Sequence, residues 1–129
     1  MKKILLLLSL TLLVSSCAVF GSKEMDLGQI FISAPDATAN LSDRNKALRR
    51  LNSAYQAIII NAVSFEIAAM ETSQAPSAKR GGRMGWVQIE DKDMPPTFIE
   101  AASRLEVGEI SKIVKSQYGY HIIKCYARR

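Results

Sequence analysis

The chain has 129 residues, 48% of them hydrophobic, and carries 17 lysines and arginines against 12 aspartates and glutamates. That length holds one domain large enough to fold without disulfide or metal staples once a targeting segment is set aside. Lys2 and Lys3 fall in that segment, which leaves fifteen basic and twelve acidic residues, a net charge of about +3, and excludes the basic footprint of a nucleic-acid-binding protein.

Residues 1–16 read as an export signal. Met1-Lys2-Lys3 leads into an apolar run from Ile4 to Val14, interrupted by Ser9 and Thr11. The run is shorter than the about 20 residues that span a bilayer comfortably. It ends in Val14-Ser15-Ser16-Cys17, which resembles a bacterial lipobox: a branched residue, two small ones, then cysteine. The resemblance makes Cys17 the lipidated first residue of the mature chain, held stably at a membrane by more than one acyl chain. With no Asp at position 18, the usual sorting rule implies the periplasmic face of the outer membrane in a Gram-negative cell. Residues 17–26 are then the lipidated cysteine and a tether, and residues 27–129 the folded domain. Cys125 is the one thiol left, so the core alone must hold the fold.

Leu27 to Ser33, with Ile30-Phe31-Ile32, predicts a first strand closed by Pro35. Leu41, Leu48, Leu51, Tyr55, Ile58 and Ala62 then recur at three- and four-residue steps, with Arg44, Lys46, Arg49 and Arg50 between them, which predicts a long amphipathic helix. Asn40 serves as its N-cap, Asp43 lies in its first turn, and Asn61 can take the left-handed conformation that ends it. Ser64 caps a second, shorter helix, and Thr72 to Arg83 reads as a polar, basic loop. A second strand is expected over Met84–Ile89, a short helix from Pro96 to Ser103, and a third strand over Glu109–Ser116. A tight turn at Tyr118-Gly119 leads to a last strand over Tyr120–Ala127. The order β-α-α-β-α-β-β predicts an α+β domain with an antiparallel sheet.

Four stretches resemble the parvulin (rotamase, PpiC-type) family in order and spacing. They are Ser73 to Trp86 with Gly81-Gly82-Arg83-Met84-Gly85-Trp86, Met94-Pro95-Pro96-Thr97-Phe98, Leu105 to Ser111 with Gly108-Glu109-Ile110-Ser111, and Tyr118-Gly119-Tyr120-His121-Ile122-Ile123. The similarity extends over residues 27–129 and is greatest to the domains of SurA-like periplasmic chaperones. It implies a four-stranded antiparallel sheet surrounded by helices and a peptidyl-prolyl cis-trans isomerase. The partners implied are unfolded or folding exported proteins with X-Pro bonds, with no nucleic acid, membrane contact through the lipid anchor only, and a monomeric state. By the same resemblance Met84, Met94 and Phe98 bind the proline, His121 is one of two paired histidines, and Ser116 is the neighbouring hydroxyl. Two positions depart from the pattern. Gln29 stands where the first strand usually presents a histidine, and Ala75 where the loop presents a cysteine or aspartate. Gln29 can still donate and accept hydrogen bonds; Ala75 can do neither.

Rotation about an X-Pro bond crosses a barrier of about 18–20 kcal/mol set by amide resonance. It needs no nucleophile, metal or cofactor, and none is expected. Other chemistries fail on counting. His121 and Cys125, four residues apart on a strand at about 3.3 Å each, lie roughly 13 Å apart, too far for a thiol–imidazole dyad. One histidine and one thiol cannot build a zinc site. The glycines 81, 82 and 85 lack a lysine–serine pair and precede a strand, so they do not form a phosphate loop. The competing reading is a peptide-binding chaperone module with weak or no catalysis. On the residues alone, without the resemblance, Met84, Met94 and Phe98 read as core, and His121 as a satisfied structural histidine.

Overall fold

The computed structural model describes residues 21–129; Cys17 and the expected export signal lie outside the described residues. Four strands, β1 (Glu24–Ser33), β2 (Arg83–Gln88), β3 (Val114–Ser116) and β4 (Gly119–Arg128), form one antiparallel sheet in the order β2-β1-β4-β3. Three helices, α1 (Leu41–Ile59), α2 (Phe65–Thr72) and α3 (Pro96–Ser103), cover it.

Alternation along the two central strands decides which helix covers which face. Ile30 and Ile32 of β1 and Tyr120 and Ile122 of β4 pack with Leu51 of α1 and Phe65 of α2. Met25 and Leu27, with Ile123 and Cys125, pack against Phe98 and Ala102 of α3 on the other face. Gln29 and Phe31 share the strand parity of Leu27, and His121 that of Ile123. The alternation therefore delivers these three to the α3 side. Local chemistry sets the helix ends as expected. Asn40 and Asp43 form a reciprocal capping box, Ser64 Oγ accepts from the Ile67 N–H, and Asn61 sits at φ 58 after α1.

Three boundaries differ from expectation. The tether is shorter, because Glu24–Asp26 already belong to β1: the Lys23 and Glu24 N–H groups donate to Arg129 O at 2.8 and 2.9 Å, and Met25 is wholly buried. The charged flanks of Met25 hid this start. The third strand covers only Val114–Ser116, with an isolated bridge at Ile110–Lys124. Ser111 explains the gap. Its hydroxyl accepts the Ile123 N–H at 2.9 Å in place of a backbone carbonyl, so the ladder is interrupted while the Ile123 donor stays satisfied. Within the polar loop, Pro76–Arg80 winds into a 3-10 turn, and Gly81 follows it at φ 65.

Two glycines permit close backbone crossings. A Cβ on Gly82 would come within 2.6 Å of Gln29 O, and one on Gly119 within 2.2 Å of Ile32 O. Gly82 O in turn accepts the Gln29 N–H at 2.9 Å, which pins the loop to the strand position that carries Gln29. Opposite this junction Met84 forms a β-bulge between its neighbours' pairings, Gly28–Arg83 and Leu27–Gly85.

Candidate active site

A cleft of about 490 Å3 opens at the end of β1 remote from Glu24, between the start of the polar loop and the segment before α3. Its walls include Phe31, Ala75, Pro76 and Met94, and its polar edge includes Gln29 and His121. A larger hollow of about 640 Å3 lies beside Lys23, Glu24, Glu90 and Arg129. It is lined mostly by charged and polar residues, with the Glu24–Arg129 ion pair among them and Ile89 as its one large apolar side chain, so chemistry points to the smaller cleft.

His121 organises the polar edge. Its Nε2 lies 2.7 Å from Ser116 Oγ and its Nδ1 3.0 Å from Gln29 Oε1. Ser116 Oγ also accepts from the Tyr118 N–H at 3.2 Å. One assignment satisfies all three contacts: Ser116 donates to Nε2, and Nδ1–H donates to the Gln29 carbonyl oxygen. This leaves the Gln29 NH2 group free to face the cleft. The imidazole is further held between rings, with Phe31 at 4.8 Å and Phe98 edge-on at 5.4 Å between centroids. Burial drops its pKa to about 4, so it is neutral at physiological pH.

The sign of the pH dependence follows. Between pH 6.5 and 4 the unfolded chain binds a proton that folded His121 refuses. Stability present in full above about pH 6.5 is therefore lost as the pH falls toward 4. Between pH 7.5 and 5 the loss attributable to His121 should be about 2 kcal/mol. Urea unfolding of the wild type and His121→Gln at the two pH values measures it, and the variant should lose correspondingly less. Glu66 does not confuse this window. Burial would raise its carboxyl, but hydrogen bonds from Tyr126, its own backbone and Lys124 prevail and hold its pKa at about 2, so its contribution is lost only below its unfolded value of 4.5.

The expected site residues are only partly gathered at the cleft. Gln29, Met94 and His121 line it. Ser116 is buried behind His121 and borders a neighbouring hollow beside Pro95 and Lys115. Phe98 is wholly buried and supports His121 from below, and Met84 packs half-buried against the same core cluster. Neither residue lines the cleft, and Phe98 lies beneath it against the His121 ring. Phe31, Gln74 and Tyr118 line the cleft and were not anticipated. Phe31 was within reach of the sequence pattern, two residues beyond Gln29 on the same strand face. The loop cations point elsewhere: Arg83 pairs with Asp26 and lies 4.0 Å over the Tyr126 ring, and Arg80 Nη2 donates to Arg83 O. Trp86 packs under the Arg129 guanidinium at 4.1 Å, away from the cleft. Cys125 is wholly buried, and burial raises its thiol pKa.

Residues 30–127 match the sequence model of the PPIC-type PPIase (rotamase) domain, and residues 1–18 that of the prokaryotic membrane lipoprotein lipid attachment site, which marks a lipid-anchored envelope protein. The chain is 52% identical over 60 residues to the foldase protein PrsA of Bacillus subtilis, covering 46% of this chain and 20% of that protein. It is 32% identical over 109 residues to the chaperone SurA of Alkalilimnicola ehrlichii, covering 84% of this chain and 24% of that one. The chain thus spans a quarter or less of the length of these curated relatives. The solution structure of TbPIN1 superposes with a TM-score of 0.72 at 27% identity, over 83% of this chain and 100% of that one.

Proposed function

Because this chain belongs to the PpiC-type peptidyl-prolyl isomerase family, we propose that it catalyses X-Pro cis-trans exchange in exported proteins, at the cleft between Met94 and the Gln29–His121–Ser116 chain. The observation that carries this reading is the pairing of an apolar wall with a neutral hydrogen-bond chain. The planar amide is a charge-separated dipole, and twisting it removes that separation. A seat that excludes water therefore favours the twisted form over the planar one. Met94 and Phe31 would hold the proline ring, and the free Gln29 NH2 would bond the substrate backbone. His121 acts as a positioning residue: neutral and fixed at both nitrogens, it turns Gln29 toward the cleft. Lipid on Cys17 would hold this monomeric domain at the periplasmic face of the outer membrane.

A second reading, a peptide-holding module without catalysis, is favoured by Ala75, which is buried and apolar at the cleft wall where the family pattern has a cysteine or aspartate. Refolding of a protein limited by a proline switch separates the two. Uncatalysed, that phase takes tens of seconds. An isomerase shortens it at substoichiometric amounts. A holding module suppresses aggregation but leaves the rate unchanged, and that result would replace the first reading by the second.

A further inference from the structure

Among the described residues that line the cleft, Asp93 is the one acidic residue, and no lysine or arginine lines it. Gln29, Ser33, Gln74 and Tyr118 are uncharged there, and His121 is neutral. The Asp93 backbone is set by a short turn in which its N–H donates to Asp91 Oδ1 at 2.9 Å, and Asp91 N–H donates to Gln88 O at 3.1 Å. No described cation lies within ion-pair distance of the Asp93 carboxylate. Lys115 reaches Asp36 at 3.1 Å, Arg83 is held by Asp26 and Tyr126 on the opposite face of the sheet, and Lys92, which precedes Asp93, makes no described ion pair and does not line the cleft. Asp93 also adjoins Met94 in sequence, so a proline seated on Met94 brings its neighbouring residues close to this carboxylate.

We propose that Asp93 gives the cleft a preference for X-Pro segments with a lysine or arginine next to the proline. The inference rests on the isomerase cleft described above and adds its substrate class. The loop cations Lys79, Arg80 and Arg83 do not line the cleft, and the acidic residue that does line it selects positive charge. An exposed ion pair contributes up to about 1 kcal/mol, so the expected preference for lysine over glutamate is about twofold to fivefold at low salt and shrinks as salt screens it.

The test uses the full chain in detergent micelles and two peptide series, with Lys, Ala or Glu placed before the proline in one and after it in the other. Exchange rates and binding are both measured. The wild type should favour lysine over glutamate in at least one series, Asp93→Asn should bring the ratio to about one, and Asp93→Lys should invert it. Equal acceleration of all peptides by the wild type, or a lysine preference that persists in Asp93→Asn, would overturn the role of Asp93 and leave the isomerase intact. Lysine-selective binding lost in Asp93→Asn, with no acceleration of any peptide, would keep the charge preference and overturn the isomerase reading. Neither acceleration nor charge-selective binding would overturn both.

Discussion

Met94→Ala should lower kcat/KM for X-Pro exchange about 10- to 100-fold while the fold survives. Met94 is half-buried, lines the cleft and packs against the core from its edge. Its side chain supplies apolar contact to a ring that must be taken out of water for the amide to twist easily. Full burial of a side chain of this size is worth about 1.5–3 kcal/mol, and each 1.4 kcal/mol lost from the transition state is tenfold in rate. Met94→Leu, which keeps the volume, should retain most of the activity. Unfolding curves for the same variants separate catalysis from stability, since a truncation at the cleft edge leaves most of its surroundings able to relax.

Phe98→Ala should produce the largest loss of stability, about 3–5 kcal/mol. Phe98 is wholly buried among Met25, Leu27, Ile123 and Cys125, and nothing adjacent can collapse into its place without disturbing the sheet. For a domain of this size the melting temperature should fall by roughly 10–20 °C. Activity should fall as well, because the ring is one of the two that fix the His121 imidazole. Thermal unfolding by circular dichroism gives the first effect. The His121 ring resonances of whatever folded fraction remains give the second, and unchanged resonances would contradict the supporting role assigned to Phe98.

That distinction between a residue at the site and a residue beneath it marks the limit of what the sequence disclosed. Periodicity and capping identified α1, α2 and α3 because those signals are local: Asn40 with Asp43, Ser64 with the Ile67 N–H, and Pro96 at a first turn all act within one helical turn. The motifs in order and spacing identified the parvulin fold and placed Gln29, Met94 and His121 at one cleft. Depth was not legible. Whether Phe98 faces the cleft or the core depends on how α3 lies on β4, which no local spacing encodes. The third strand was overextended for a similar reason, since the hydroxyl of Ser111 replaces a carbonyl in the ladder and an apolar pattern cannot show that. Gln29 is the reverse case. Read as a departure from the family pattern, it turns out to accept the bond that a paired histidine would share, with its own NH2 left over for the cleft.

The arrangement also explains how one ionisable ring can serve across a range of pH. With its pKa held near 4 by burial, His121 stays neutral wherever the envelope is only mildly acidic, so the Gln29–His121–Ser116 chain keeps one pattern of donors and acceptors. The proposed isomerase would then depend on the shape of the cleft and the direction of its dipoles rather than on proton transfer.

The most direct test of this account is exchange NMR on an Ala-Lys-Pro peptide with residues 18–129, which contain every described element of the fold, and with the Met94→Ala variant of the same segment. Cross-peaks between the cis and trans forms that appear with the wild-type protein on a timescale far below the uncatalysed tens of seconds, and that weaken at least tenfold with Met94→Ala, are the predicted result. Exchange no faster than in buffer, or acceleration that Met94→Ala leaves intact, would contradict the placement of an isomerase site at this cleft.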